Sequence, residues 1–326
     1  MTFNYHSIFG LNPDTFNQFA LRVFYYQAEN NPIYKKYIQL LGVAPQQIKS
    51  IEKIPFLPIK LFKTEEIKTG SFESEKVFES STTGGGQSSK HHIYSLEWYR
   101  DVFLKCFEKY YGNIKDYTFL ALLPSYLERN NASLVYMVDG FMKSSGKPLS
   151  GFYIDDYEKL STHLQTLEER KEKTILIGVS FALLDFAEKY PIHLKHTVIM
   201  ETGGMKGRRK ELWKTALHDI LKNAFQTNQI HSEYGMTELL SQAYSLKDEK
   251  YYFPDWVKVL VRDVYDPFDI QSKNARGALN IIDLANIHSC CFLATDDIGE
   301  LDNDGGFYVY GRINNADVRG CNLMVG

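Results

Sequence analysis

One stretch of the chain combines hydroxyl side chains and glycines with a closing lysine, a combination that can bind a polyphosphate. This hydroxyl-rich loop reads Ser80-Ser81-Thr82-Thr83-Gly84-Gly85-Gly86-Gln87-Ser88-Ser89-Lys90. Consecutive glycines let backbone N–H groups approach an anion closely, while the hydroxyls and the lysine add donors and positive charge. It is not a Walker A loop, which requires Ser or Thr directly after the lysine, because His91 follows Lys90. The alternative is a flexible surface linker.

A second group of polar residues follows the predicted strand Gln229–Ser232. It reads Glu233-Tyr234-Gly235-Met236-Thr237-Glu238. Loops at the carboxyl ends of parallel strands are where open α/β sheets bind ligands. There Tyr234 can stack on a planar base, Thr237 can bond a phosphate and Glu238 can hold Mg²⁺ beside it. The alternative is an ordinary turn with a helix-capping threonine.

A third group combines acidic and basic side chains near the end of the chain. Thr295-Asp296-Asp297 follows a predicted strand, and Gly311-Arg312 comes shortly afterwards. Asp297 can accept hydrogen bonds from ribose hydroxyls, with Arg312 close by. A polar turn explains the paired aspartates equally well.

Hydrophobic patterning predicts the elements that position these groups. Asn12-Pro13-Asp14 is typical of a helix start, with a capping side chain and then Pro in the first turn. From Lys76 onward, short β-rich runs alternate with helical patterns, which indicates βαβ units around a mostly parallel sheet. After about Leu239 four runs with strand character follow without helices, and they predict a small antiparallel sheet. The predicted strands are Lys76–Glu79, Tyr117–Leu123, Thr174–Gly178, His196–Glu201, Gln229–Ser232, Val257–Arg262, Ala278–Asp283, Ser289–Ala294 and Phe307–Tyr310.

The fold class is therefore α/β, with a mostly parallel sheet flanked by helices and a small antiparallel β subdomain towards the C-terminus. Residues 1–75 are expected to form a helical segment packed on the core. The α/β core is expected over residues 76–238 and the β subdomain over 239–312, with residues 313–326 as a short tail.

Composition excludes several classes of protein. The 326 residues carry a formal net charge of -3, which argues against a nucleic-acid binder that works through a basic face. The longest apolar run, Ile175–Leu184, is far shorter than the roughly 20 residues that a bilayer span needs. The start lacks a signal-peptide pattern, and the four cysteines show neither a disulfide framework nor zinc-ligand spacing. We therefore expect a reduced, cytoplasmic protein without a membrane span.

Together the three groups resemble the motifs of the adenylate-forming superfamily of acyl-CoA synthetases. Ser80–Gly84 followed by Lys90 is similar to the family's S-G-T-T-G loop and lysine, with serine in place of the first glycine. Tyr234–Glu238 matches the Y-G-x-T-E motif at every fixed position. Thr295–Asp297 resembles the T-G-D motif, and Gly311-Arg312 resembles the G-R hinge. The resemblance spans about residues 76 to 320 and is strongest to the branch of acyl-protein synthetase (LuxE) and phenylacetate–CoA ligase (PaaK).

The resemblance implies that ATP and a carboxylic acid, of the fatty or aryl class, form an acyl-adenylate and that the acyl group then passes to a thiol. ATP and Mg²⁺ are the implied cofactors, with CoA or a protein thiol as acceptor. Glu238 would bind Mg²⁺ and act with Thr237 and Lys90. The implied nucleotide-binding residues are Ser80, Ser81, Thr82, Thr83, Gly84, Gly85 and Gly86 at the phosphates, Gly203, Gly204, Met205, Glu233, Tyr234 and Gly235 around adenine, and Asp297 and Arg312 at the ribose.

The end of the sequence departs from the superfamily pattern. The superfamily normally continues past the G-R hinge into a mobile domain that brings a catalytic lysine, whereas 14 residues follow Arg312 here. We therefore expect a protein partner to supply the missing group, or a transferase that receives acyl groups from another donor. Acyl-protein synthetases carry an acyl-accepting cysteine near the C-terminus, so Cys321 is the candidate acceptor. An ordinary free thiol is the alternative.

Two other functions remain open at this point. Gly178–Ala182 resembles the G-x-S-x-G nucleophile elbow of α/β-hydrolases with alanine in the last place, so Ser180 is a candidate nucleophile with Asp263 or Asp283 and with His288. A nucleotide- or acyl-binding protein with little catalysis is the remaining alternative. His91-His92 is interpreted as an ordinary polar pair.

Overall fold

The computed structural model describes residues 4–81, 86–124, 130–203, 212–272 and 274–313, and it confirms the predicted fold class. Strands alternate with helices up to the second polar group and then follow one another directly. The strands are β1 (Leu57–Pro58), β2 (Lys76–Glu79), β3 (Lys90–Ile93), β4 (Thr118–Leu122), β5 (Gly151–Phe152), β6 (Thr174–Val179), β7 (Thr197–Thr202), β8 (His231–Tyr234), β9 (Ala243–Ser245), β10 (Val257–Arg262), β11 (Arg276–Asp283), β12 (Phe292–Leu301) and β13 (Phe307–Arg312).

Four of the described α-helices begin at a residue whose side chain caps the first turn. The Asn12 side chain accepts hydrogen bonds from the backbone of Asp14 and Thr15 at the start of the first helix, as predicted. No helix among the described residues is long and apolar enough to span a bilayer. The α-helices are α1 (Pro13–Asn30), α2 (Pro32–Leu40), α3 (Leu96–Tyr111), α4 (Ser133–Ser145), α5 (Tyr157–Glu169), α6 (Ser180–Lys189) and α7 (Lys214–Phe225), and short 3-10 turns cover Tyr5–Gly10, Pro45–Gln47, Ile51–Lys53, Ile59–Lys63 and Ile114–Asp116.

A six-stranded sheet forms the centre of the α/β core. Its strand order is β5-β4-β6-β7-β8-β9, in which the first five strands are parallel and β9 is antiparallel to β8. Every residue of β4 and β6 is buried, as expected for parallel strands covered on both faces. The register places Gly178, Glu201 and Ser232 side by side. The carboxyl ends of β6, β7 and β8 therefore meet at one edge.

The second sheet is built mainly from the last third of the chain. Strands β10, β11 and β12 are antiparallel neighbours, and β13 pairs with the second half of β12, antiparallel to it. The Pro-containing segment of residues 54–62 adds the short strand β1, parallel to the first half of β12. In the β12–β13 register, Asp297 lies opposite Arg312. This pairing brings the two residues of the third polar group together.

The hydroxyl-rich loop connects two strands, of which only the first, Lys76–Glu79, was among the predicted strands. Its ends are β2 and β3, which form an antiparallel hairpin that pairs Glu79 with Lys90. Burial alternates along β3, with His91 and Ile93 inside, which is the two-residue period of a strand. Helix α3 begins only at Leu96, where the Ser95 side chain accepts a hydrogen bond from the Trp98 backbone.

A buried amide ties α1 to the segment before β12. The Gln27 side chain is fully buried; it donates to the carbonyls of Asn286 and Ile287 and accepts from the Cys291 backbone N–H. A buried backbone group that loses its partner costs roughly 1–3 kcal/mol. Gln27 therefore fixes a segment that otherwise has no regular secondary structure.

Replacing this amide with an apolar side chain of similar size should destabilise the fold. We expect Gln27→Leu to lower the free energy of unfolding by roughly 2–4 kcal/mol, because the backbone groups of the segment would stay buried without partners. Urea unfolding measures the change. Gln18→Leu, at an exposed position of the same helix, should stay within about 0.5 kcal/mol of wild type, and equal stability of the two variants would contradict the assigned role.

Candidate active site

The second and third polar groups are in direct contact. The Tyr234 hydroxyl donates a hydrogen bond to Asp297 Oδ2 over 2.7 Å, and Arg312 Nε donates to Asp297 Oδ1 over 3.1 Å. Asp297 is buried, whereas the Arg312 side chain is largely exposed. The nearby Asp297 carboxylate raises the pKa of the Arg312 guanidinium further. These contacts join the antiparallel sheet to the carboxyl end of β8.

The C-terminal end of the first polar group, the hydroxyl-rich loop, lies next to the second polar group. The base of the hydroxyl-rich loop is closed because the Ser89 backbone N–H donates to Ser80 Oγ over 2.9 Å. The buried Ser89 side chain lies near the Glu238 carboxylate and acts to lower its pKa. On β3, the ring Nδ1 of His91 lies 2.7 Å from the carbonyl oxygen of Thr237. Lys90, between them, is exposed.

Glu238 is the carboxylate at the centre of this arrangement. It is 7% exposed, and burial raises its pKa, while the nearby Ser89 side chain and the Arg312 charge act in the opposite direction. A buried carboxylate beside a hydroxyl group, at the edge of a ligand site, is a suitable ligand for a hard cation such as Mg²⁺. Among the described residues no group of three or more His, Cys, Asp or Glu side chains forms a complete metal site.

The chain from Gly235 to Ser241, here called the motif loop, is held by side chains that the sequence analysis did not assign to the site. The Asn286 amide donates to the Glu238 carbonyl over 2.8 Å. The Asp283 carboxylate accepts from the backbone of Leu240 and Ser241 and from the Ser241 hydroxyl, at 2.7–3.0 Å. A Cβ atom at Gly235 would lie 2.6 Å from the Glu233 carboxylate, so a larger residue there would displace that side chain.

Two neighbouring carboxylates lie buried beneath the site, at the ends of β7 and β8. Burial acts to raise the pKa of Glu201, but the Lys214 ammonium at 3.1 Å and further hydrogen bonds outweigh it and lower the pKa to about 2. Among the described residues, no cation forms a comparable ion pair with Glu233. Burial raises its pKa to about 7, and Glu201 contributes in the same direction, although the Thr202 hydroxyl donates to it over 2.5 Å. The two groups therefore have very different affinities for a proton.

Ser180 belongs to this buried cluster and not to a hydrolase triad. Its hydroxyl lies 2.9 Å from Glu201 Oε1 and 2.7 Å from the Gly203 carbonyl oxygen. The three proposed partners are engaged elsewhere: Asp283 binds the motif loop, His288 stacks on Tyr94 at 4.1 Å, and the half-buried Asp263 accepts from its own turn. The structure therefore does not bring Ser180 and His288 together with either aspartate as a catalytic triad.

Several predicted site residues lie outside the described part of the chain. These are Thr82, Thr83, Gly84, Gly85, Gly204, Met205 and Cys321. Of the neighbouring predicted residues that are described, Ser81 and Gly86 are exposed, and Gly203 takes a φ of 64° in the left-handed region that favours glycine. Their assignment to the nucleotide stays a prediction.

Comparison with solved structures identifies proteins of the same fold. 2-Hydroxyisobutyryl-CoA ligase in complex with 2-HIB-AMP and CoA superposes with TM-scores of 0.67 in an open conformation and 0.68 in the thioesterification state, at 14% identity. The alignments cover 92% and 95% of this chain and 70% and 71% of the ligase. ATP-bound MatB from Rhodopseudomonas palustris superposes with a TM-score of 0.54 at 15% identity, over 72% of this chain and 47% of MatB.

The fold is that of adenylate-forming acyl-CoA ligases. No protein-family model matches the sequence, and no curated protein is significantly similar to it. The narrower assignment to the LuxE and PaaK branch stays a prediction.

The pKa of Glu233 makes the stability of the fold depend on pH. Because the folded-state pKa of about 7 lies above the ordinary value of 4.5, the stability that this group contributes is fully present below pH 4.5 and is lost as the pH rises through 7. We expect Glu233→Gln to remove this loss. The free energy of unfolding of the variant minus that of wild type should therefore be about 3 kcal/mol larger at pH 8 than at pH 4.5.

Urea unfolding of both proteins at the two pH values measures this difference. Glu97→Gln, at an exposed position of α3, serves as the control, and its difference from wild type should be the same at both pH values. A Glu233→Gln variant that tracks wild type across this range would show that the carboxyl is not buried as described.

Proposed function

We propose that this protein is an AMP-forming ligase that activates a carboxylic acid with ATP and passes the acyl group to a thiol. The observation that carries the proposal is the convergence of Tyr234, Asp297, Arg312 and Glu238 at the carboxyl end of the parallel sheet, beside the base of the hydroxyl-rich loop. The likeness in fold to ligases that bind 2-HIB-AMP with CoA, or ATP, supports the same function.

The contacts around Asp297 suit a nucleoside. Tyr234 and Arg312 bind one carboxylate oxygen each, so the carboxylate is held in one orientation while further lone pairs remain for ribose hydroxyls. The Tyr234 ring is half-buried against the rings of Tyr251 and Phe307. In the proposed complex this tyrosine lies against adenine, and Gly203 lines the same site.

Glu238 fits the requirements of a magnesium site. Mg²⁺ is usually held by one or two carboxylates together with substrate phosphates and water, and Glu238 supplies one carboxylate next to the Ser89 hydroxyl and the loop proposed to hold the phosphates. When bound, the ion neutralises charge on the phosphates. Lys90, at the end of the hydroxyl-rich loop, and Thr237, in the motif loop, are proposed to act on the same phosphates.

The proposed reaction has two steps. A carboxylate oxygen of the acid attacks the α-phosphorus of ATP, the bond to the β-phosphate breaks, and pyrophosphate leaves. A thiolate then attacks the acyl carbonyl carbon, and AMP leaves. The proposed acceptor is CoA or Cys321, and a protein partner that supplies a cationic group or an acyl donor is part of the same proposal. The acid is proposed to be fatty or aryl.

ATP–pyrophosphate exchange with a panel of carboxylic acids, from acetate to long-chain and aryl acids, tests the first step. We expect exchange that depends on one class of acid and falls at least about 100-fold in Glu238→Gln, because removing the charged ligand weakens stabilisation of the leaving pyrophosphate. Glu97→Gln should exchange like wild type. ATP binding without exchange for any acid would contradict adenylation and favour a binding protein or a partner-dependent acyltransferase.

Two adjacent aspartates on β12 provide a test variant and a matched control for the proposed nucleoside contact. Asp297 faces Tyr234 and Arg312, whereas its neighbour Asp296 faces the other side of β12 and pairs with Lys60 at 3.5 Å. We expect Asp297→Asn to raise the dissociation constant of ATP about 10- to 100-fold, since charge-assisted bonds to the ribose are lost. Asp296→Asn should bind ATP normally. Calorimetric titration measures both, and equal affinities would refute the placement of the ribose.

A further inference from the structure

His91 is buried at the contact between the β2–β3 hairpin and the motif loop. Its ring is 1% exposed, and its Nδ1 atom lies 2.7 Å from the Thr237 carbonyl oxygen. Because a carbonyl oxygen can only accept a hydrogen bond, Nδ1 carries the proton and donates. Burial lowers the pKa of His91 to about 4, so the ring is neutral at pH 7 and keeps this tautomer.

The same contact fixes one of the two peptide planes that flank Glu238. The Thr237 carbonyl belongs to the peptide before Glu238, and the Glu238 carbonyl belongs to the peptide after it. His91 holds the first, and the Asn286 amide holds the second at 2.8 Å. With both planes fixed, φ and ψ of Glu238 are fixed, and so is the direction in which its side chain leaves the backbone.

His91 also belongs to the strand that ends the hydroxyl-rich loop. Ser89, two residues earlier, lies near the Glu238 carboxylate and acts to lower its pKa. The hairpin therefore borders the Glu238 side chain through Ser89, and through His91 it binds the peptide that precedes Glu238. A shift of the hairpin relative to the motif loop would change both contacts together.

We propose that His91 is a positioning residue that holds Glu238 in register with the hydroxyl-rich loop. The inference rests on the proposed function in so far as Glu238 acts on the phosphates of ATP. His91 itself does not contact the reacting atoms. Its effect is transmitted through the Thr237 carbonyl.

His92 provides a matched control on the same strand. It is the next residue, and its Nδ1 atom lies 3.1 Å from the Ser74 hydroxyl and 3.9 Å from the Glu66 carboxylate. Its contacts are therefore with the segment before β2 and not with the motif loop. Substituting it perturbs the hairpin without breaking the tie to Thr237.

The experiment compares His91→Phe, His91→Asn and His92→Phe with wild type. Phe keeps a planar ring but removes the donor, whereas Asn keeps an N–H group near the position of Nδ1. Hydrogen–deuterium exchange of peptides that cover residues 235–241 reports the motif loop directly. ATP titration and ATP–pyrophosphate exchange give the dissociation constant, KM and kcat.

We expect faster deuterium uptake by the motif loop in His91→Phe, with little change elsewhere. The kcat for pyrophosphate exchange should fall about 10- to 100-fold, as misplacement of a catalytic group by about an ångström predicts, while the dissociation constant of ATP changes less than about threefold. His91→Asn should recover kcat to within about fivefold of wild type. His92→Phe should match wild type in uptake by the motif loop and in kcat.

Two results would overturn the proposal. One is unchanged deuterium uptake by residues 235–241 in His91→Phe, which needs no enzymatic activity to be measured. The other is loss of kcat in His91→Asn equal to that in His91→Phe while both variants remain folded. A wild-type protein that shows no exchange with any acid would contradict the proposed function alone, and the deuterium measurement would then decide the role of His91 separately.

Discussion

The path of the chain after Glu238 depends on one buried carboxylate. Asp283 ends β11 without exposed surface and accepts hydrogen bonds from the Leu240 and Ser241 backbone, the Ser241 hydroxyl and the Ala285 backbone. Burial raises its pKa, and these donors lower it. A buried carboxylate is costly unless such bonds are made. The motif loop therefore takes the conformation that brings its N–H groups to Asp283, and this conformation determines where Glu238 lies.

This constraint explains why the site lies between the two sheets. Glu238 follows a strand of the parallel sheet, but Asp283, Asn286 and Asp297, which hold the loop or Tyr234, come from the antiparallel sheet and its connections. Trp256, just before β10, adds a bond from its indole N–H to the Ser241 hydroxyl. Neither sheet alone orients the motif loop, so the geometry of the site depends on how the two sheets pack.

The sequence predicted the parts of the site whose chemistry is carried by adjacent residues. The longer strands and the groups around Tyr234 and Asp297 could be proposed because their patterns are local, whereas the short strands β1, β3, β5 and β9 were not predicted. His91, Asp283 and Asn286 could not, since their partners lie 146, 42 and 48 residues away. The strand β3 was missed because four residues of alternating burial are too short to distinguish a strand from the approach to a helix.

Burial and ion pairing give the two neighbouring carboxylates beneath the site different affinities for a proton. Thr202 and Glu233 are register partners, and Glu201 directly precedes Thr202. Lys214 lowers the pKa of Glu201 despite its burial, whereas burial raises the pKa of Glu233 to about 7. A second ionised carboxylate there would place two negative charges side by side in a low-dielectric region, where repulsion of an anion is strongest. Keeping Glu233 protonated leaves Glu201 and Lys214 as a neutral pair beneath the position proposed for a triphosphate.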